Sequence, residues 1–253
     1  MYTDEQIEQL EEEERAITDA AIIAMIATLV TSQTQLEREL RDFYHKYGTD
    51  GVVTFQEAKK WVSDRHKQKR LTVLLLAVGA TFDSTLVDLK PQFKNALISL
   101  LRKDSVFFGV NLNVEDILSK KWGIDELTWL MRLENDVALW KAKVSIDIKQ
   151  ALLRGDSLDV LMKRIDKRFG SMKNVLTALG ITESTAYGSL GRQAIFKELG
   201  IKEYRYYAKA DERTCDICGS LHGLTFPMSS YAVGVNASPM HTRCRCWEVP
   251  VME

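Results

Sequence analysis

Cysteine is absent from the first 214 residues of this 253-residue chain, and all four cysteines fall between positions 215 and 246. A disulfide framework running through the body is thereby excluded, and with no charged leader or cleavage site at the start the chain is expected to be made in a reducing cytoplasm. Proline is almost as scarce upstream: only Pro91 precedes Pro227, while Pro227, Pro239 and Pro250 crowd the end. Because proline breaks helix interiors, this absence permits long helices. Charge of one sign is missing too. Lys plus Arg number 34 against 35 Asp plus Glu, a net charge of −1, so nothing pulls the whole chain towards nucleic acid or an anionic membrane, and any such binding is local.

Long apolar runs are short of what a bilayer needs. The stretch from Ala16 to Val30 contains Asp19 and two threonines, and Leu71 to Phe82 falls below the roughly 20 residues required, so no membrane partner is expected. Catalytic patterns are missing as well: there is no Gly-x-Ser-x-Gly, phosphate loop or His-Glu-x-x-His. Of the histidines, His45 and His66 lie in expected helices away from any nucleophile pattern. His222 and Asp211 are the only acid/base candidates, and Asp211 reads better as an acceptor that orients a ligand or an arginine. The chain is not expected to be an enzyme.

What is present is concentrated near the end. One knuckle runs from Asp211 to Gly219 with Cys215 and Cys218, and a second runs from Pro239 to Trp247 with His241, Cys244 and Cys246. Two thiols two residues apart point inward from one tight turn, for which Gly219 supplies backbone freedom, and His241 with Cys244 repeats the spacing. Two disulfides fit the compartment poorly, and a thioredoxin-like pair wants a βαβ context that is absent. The pattern therefore reads as a zinc site. Five donors compete for about four places. The favoured set is Cys215, Cys218, His241 and Cys244; Cys246, which would share a face with Cys244 on a strand, either replaces one of the last two or is simply buried. A closed set of four leaves no position for water, so the zinc is structural. Such an ion supplies roughly 10–16 kcal/mol of apparent binding energy to a module too small to hold itself together.

The rest reads as helix. Thr3 to Tyr47 carries an amphipathic stripe of Ile7, Leu10, Ile17, Ala21, Leu36, Leu40 and Phe43, with a solvated acidic run from Glu11 to Glu14 near its start. Thr54 and Glu57 form a capping box for a second helix whose basic first half, with Lys59, Lys60, Arg65, Lys67, Lys69 and Arg70, is a candidate for gripping nucleic-acid phosphates. A solvated helix face is the commoner meaning of such a run. Further helices are expected to start at Pro91, to be capped by Asn113 and by Asp125, and to run from Leu158 to Phe169 and onward from Ser171. Like-charged pairs, Lys163 with Lys167 and Arg164 with Arg168, call for a nearby anion. Trp122, Trp129 and Trp140 are expected core. Strands are expected over 203–210, 223–226 and 244–251. The fold class is mainly α: a helical domain over 1–200, with a long helix at 3–47 and a body at 54–199, then a zinc-stabilised α+β module over 201–253.

The second half also carries a resemblance. Arg213-Thr214-Cys215-x-x-Cys218-Gly219 after an aromatic strand and an acid, the hairpin Leu221-x-Gly223-x-x-Phe226, and Pro239-x-His241-x-x-Cys244-Arg245-Cys246 resemble the Mu F-like minor head, or head-morphogenesis, proteins of tailed bacteriophages. Thr182-Glu183, an Ala/Gly-rich helix and Glu198-Leu199-Gly200-Ile201 extend the likeness, which covers about 180–251. Ile181 stands where an arginine is usual and Thr242 where proline is common, but every metal donor is kept. The resemblance implies a low-copy component of the capsid interior that associates with the portal and with capsid or scaffold proteins, acts in procapsid assembly and DNA packaging or delivery, and meets packaged double-stranded DNA. It places the chain in the host cytoplasm during assembly and then in the virion. It also implies that Thr182 and Glu183 tie the helix to the β module. Two readings from other classes stay open: a toxin-like enzyme carrying a Mu F-like module, against which no further domain follows Glu253, and a cellular nucleic-acid-binding zinc protein, against which the neutral charge counts.

Overall fold

A computed structural model describes residues 3–63, 65–209 and 211–252. Six helices come first: α1 (Asp4–Tyr47), α2 (Phe55–Ser63), α3 (Arg65–Phe108), α4 (Val114–Ser119), α5 (Trp129–Arg154) and α6 (Leu158–Glu198). A small module follows, with β1 (Glu203–Tyr207), α7 (Asp216–Leu221), β2 (Thr225–Pro227) and β3 (Trp247–Val251). The mainly α class with a C-terminal strand module is as expected.

Local signals account for most boundaries. Thr3 and Gln6 exchange hydrogen bonds of 3.2 and 3.0 Å at the start of α1, a capping box. Thr54 and Glu57 do the same for α2, and the Asn113 side chain accepts from the Asp116 N–H to cap α4. Several expectations need correction. Thr128 caps α5 by accepting from Met131 N–H at 3.3 Å, whereas Asp125 pairs with Arg132. Helix α3 runs straight through Pro91, since buried Leu89 before it and Phe93 and Leu97 after it continue one apolar stripe. That burial outweighs the roughly 3 kcal/mol of an internal proline. Helix α6 likewise runs through Gly170 and Gly180, because Phe169, Met172, Leu176 and Leu179 are all buried around them.

Of the expected basic helix, Lys59 and Lys60 lie on α2 and Lys69 and Arg70 on α3, and residue 64 between the two stretches lies outside the described residues. Arg164 finds its anion in Asp156 at 3.2 Å and Arg168 in Asp147 at 2.5 Å, so the pair of arginines is relieved internally. Trp129 and Trp140 are core, but Trp122 is only half-buried. By length and composition, α1 and α3 each do hold a window of 18 residues apolar enough to cross a membrane, which corrects the reading by uninterrupted runs. Only 28% and 33% of those windows is buried.

The chain forms two compact units that are interleaved in sequence: residues 1–24, 91–132 and 176–253 make one, and 25–90 with 133–175 make the other. The boundary expected near residue 200 lies inside the first unit, between α6 and β1. In the second unit, Phe82 stacks on Phe169 with centroids 6.1 Å apart, and the Ser32 and Thr85 hydroxyls meet at 2.6 Å. In the first, Leu10, Phe108, Ile195, Phe196, Tyr204 and Tyr231 share one core cluster. The module's sheet has the order β2-β1-β3, both pairs antiparallel, with Tyr204 opposite Phe226 on one side and Pro250 on the other.

The acidic run of α1 is not a solvated end. Glu12 and Glu13 are exposed, but Glu11 and Glu14 are buried, because positions 7, 10, 11 and 14 share the stripe that Ile7 and Leu10 define. Both carboxyls pair with Arg192 of α6, and Asp104 of α3 lies 3.7 Å from the same guanidinium. Glu248 of β3, also buried, accepts from the Tyr231 hydroxyl and the Ser238 N–H instead. Three acids against one arginine cannot all stay ionised out of water. Burial raises Glu11 to about 7, Arg192 opposing it, and burial also raises Glu14 and Asp104. The fold therefore holds protons that the unfolded chain releases above about pH 4.5, and this stability is complete below that pH and drains away as pH rises through about 7. The unfolding midpoint should fall between pH 5 and 8 by the equivalent of about 1–3 kcal/mol, and Glu14→Gln should flatten the slope. A flat profile in the parent chain would show the acids to be ionised.

Candidate metal centre

The first knuckle is built on a helix start. Cys215 is the N-cap of α7, and its sulfur accepts from the Cys218 N–H at 3.4 Å. Gly219 sits inside α7 without a positive φ, so it does not supply the turn's freedom, contrary to expectation; Gly223, with φ of 81°, turns the chain out of α7 towards β2. In the second knuckle the left-handed residue is Arg243, with φ of 63°. Strand β3 starts only at Trp247, so Cys244 and Cys246 precede the sheet rather than belonging to it.

The five donors meet in two overlapping groups, Cys215 with Cys218 and His241, and Cys218 with Cys244 and Cys246, each gathered within 4.8 Å. Cys218 belongs to both. Its sulfur lies 3.3 Å from His241 Nε2 and 3.8 Å from the Cys244 sulfur. Two thiolates each about 2.3 Å from one zinc, at the tetrahedral angle, lie roughly 3.8 Å apart. A cavity of about 20 Å³ there is lined by Cys215, Cys218, His241 and Cys246 together with the basic Lys209, Arg213, Arg243 and Arg245. The sulfurs are unequal. Cys246 donates a hydrogen bond that, with backbone donors, brings Cys244 down to about 5, and the same bond with burial pushes Cys246 upward. The Tyr206 hydroxyl donates to Cys218 at 3.5 Å and packs the sulfurs from the sheet side.

Around this cluster the supports are charged and directional. Asp211 receives both Nη atoms of Arg245 at 2.6 Å, and this pairing holds its carboxyl well below the usual range. Its expected part as the acceptor for an arginine is what the geometry gives. His222 is a structural residue: its Nδ1 accepts from the Ala208 N–H at 3.1 Å and its ring packs edge-on against Tyr207. Arg15 of α1 donates to the Arg245 carbonyl at 3.0 Å and lies over the Trp247 ring.

Helix α6 holds the second knuckle directly. Thr182 Oγ1 accepts from the Arg243 N–H at 2.9 Å, and Thr185, which the sequence reading passed over, donates to the Cys244 carbonyl at 2.9 Å. Glu183 does not take part. It points the other way, accepting from the Trp122 indole at 2.8 Å and from Arg132 at 3.2 Å through both oxygens. Arg132 also lies 4.3 Å over the Trp122 ring, and Tyr187, one turn on, donates to the Lys120 carbonyl at 2.8 Å. Glu183 therefore anchors the segment before α5, and the two hallmark residues serve opposite sides of one helix. Of the candidate phosphate contacts, the side chains of Arg65 and Lys67 lie outside the described residues. Lys59, Lys60, Lys69 and Arg70 are exposed, with Lys59 over the Phe55 ring and Arg70 over the Tyr47 ring. Replacing Glu183 with alanine leaves Arg132 and the indole without their buried acceptor and should cost about 3–5 kcal/mol, read as a lowered denaturation midpoint. A loss under 1 kcal/mol would show that solvent takes over its role.

Comparison with known proteins adds one finding. Residues 142–249 match the family described as Phage Mu protein F like protein. No curated protein and no solved structure matches the chain. The match begins within α5, takes in all of α6 and ends within β3, so it contains every thiol, His241 and the threonines that hold them. The match covers less than half of the chain, and over residues 142–249 the chain is similar to Mu F-like proteins, the family that its knuckles resemble.

Proposed function

We propose that the chain is a minor head protein of a tailed phage, an internal capsid component that binds the portal and serves procapsid assembly and DNA packaging or delivery without catalysing a reaction. The observation that carries this reading is the Mu F-like match over the cluster of cysteines and His241. Its proposed partners are the portal protein and the capsid or scaffold proteins, and its place is the host cytoplasm during assembly and then the virion interior. Double-stranded DNA is a weaker proposed partner, met without sequence preference through the exposed Lys59, Lys60, Lys69 and Arg70. The chain should co-sediment with the portal oligomer of the same phage when the two are mixed. Absence of co-sedimentation, both from the pure pair and from infected-cell extract, would sink the portal reading.

The metal in this reading is one structural zinc held by Cys215, Cys218, His241 and Cys244. The closeness of the Cys218 sulfur to His241 Nε2 at 3.3 Å and to the Cys244 sulfur at 3.8 Å supports it, with His241 and Cys244 in separate groups that Cys218 joins, and Cys246 is left as the thiol beside Cys244. The ion would supply folding energy and no open coordination position. Elemental analysis should find about one zinc per chain. Cys246→Ser should keep it, whereas Cys218→Ser should lose it and unravel the module while most helical circular dichroism remains. Metal retention by Cys218→Ser would overturn the assignment.

A further inference from the structure

Two helices of the second unit carry apolar side chains on the side away from its core. On α3 these are Val73, Leu76 and Val87, and on α5 Leu139, Ile146 and Leu153; all six are between 44% and 68% exposed. Val73, the exposed Ala80 and Val87 recur every seven residues, as do Leu139, Ile146 and Leu153, the spacing that lines one seam of a helix packed on another helix. The ion pairs Lys141–Asp83 and Lys90–Glu134 lay α3 and α5 side by side and antiparallel. They put Ala80 near the level of Ile146, Val87 near Leu139 and Val73 near Leu153.

The pattern is palindromic. Reading outward from Ala80 meets a valine seven residues away in each direction, and reading outward from Ile146 meets a leucine seven residues away in each direction. Both midpoints lie at about one level. Such a face is self-complementary under a two-fold axis, as an isologous dimer requires. Its flank charges agree. Arg70 and Asp88 are both exposed and stand 18 residues apart, which is five full helical turns and hence the same flank of α3. An axis near Ala80 brings Arg70 of one copy opposite Asp88 of the other, twice by symmetry.

We infer that this face of α3 and α5 is the dimer interface of the chain, covered by a second copy packed antiparallel about Ala80 and Ile146. A bilayer is a poorer occupant. The other face of α3 is buried in its own unit through Leu74, Val78 and Phe82, so lipid cannot surround it, and Asp83 and Asp88 are exposed on the outer side. The inference does not depend on the portal reading, because it concerns only contacts between copies.

Sedimentation velocity of the full chain from about 1 to 100 μM tests it, a range in which an interface of standard size is populated. The parent chain should be a dimer. Ile146→Glu should weaken it by about a hundredfold or more, since two like charges would meet on the axis. Asp88→Arg and Arg70→Asp should each weaken it about fivefold, and the double exchange should restore the parent affinity. The exchange needs no core change, so it keeps its meaning even if Ile146→Glu folds badly. A monomer at every concentration, a dimer indifferent to these substitutions, or an exchange that fails to restore affinity overturns the inference. So does binding to phosphatidylcholine vesicles that Ile146→Glu abolishes in a chain that stays monomeric.

Discussion

Strands of five, three and five residues bury too little apolar surface to hold a sheet together on their own. Everything around them supplies what the sheet lacks. Helix α6 offers Thr182, Thr185, Ser189 and Arg192 at spacings of three and four, one stripe of polar groups along one face. The first two bind the backbone of the second knuckle, Ser189 meets the Tyr231 hydroxyl at 2.8 Å, and Arg192 receives the acids of α1. The module is therefore pinned by directional bonds to a long rigid element before any metal is considered. A metal would then tie the two knuckles to each other, which none of the α6 contacts does.

The same dependence explains why α6 approaches α3 so closely. A Cβ at Gly191 would stand 2.5 Å from the end of the Leu101 side chain of α3, which would have to shift, and one at Gly188 would stand 3.4 Å from that of Leu100. The small residues that look in sequence like a weak stretch of helix are the condition for bringing Asp104 within reach of Arg192. The buried charge is retained at a cost in desolvation that better-packed apolar residues would avoid. Its effect is specificity of placement. A guanidinium with three acids around it fixes how α1, α3 and α6 meet, which apolar contact alone leaves loosely defined.

Much of this was legible. The α1 stripe and the caps at Thr54 and Asn113 follow from local rules, and the donor spacing announces the gathering of the four thiols and His241. What was misread has a common physical cause. Pro91 and Gly170 are local breakers inside helices whose apolar stripes continue past them, and tertiary burial overrides propensity. Glu11 and Glu14 read as solvated within a run of four acids, yet their positions share the buried face of Ile7 and Leu10. That signal was present in the periodicity. Thr185 and the direction of Glu183 were not accessible in this way: they depend on which side of α6 each neighbouring segment packs, and a single sequence does not encode that in any local pattern.

The windows of α1 and α3 that are apolar enough to cross a membrane pose the same question from the outside. A helix in a two-layer arrangement has one face to bury, and an ordinary solvated helix makes the other polar. On α3 the inner face is satisfied by Leu74, Val78, Phe82 and Leu89, yet the outer one still carries Val73, Leu76 and Val87. Apolar residues scattered singly over a surface need no explanation. Residues recurring at seven-residue intervals on two adjacent helices, with midpoints at about one level and opposite charges ten and eight residues to either side of one of them, are not scattered. An arrangement of that kind fits a surface that is covered by its own copy, and it accounts for the apolar window of α3, a helix already packed along its other side.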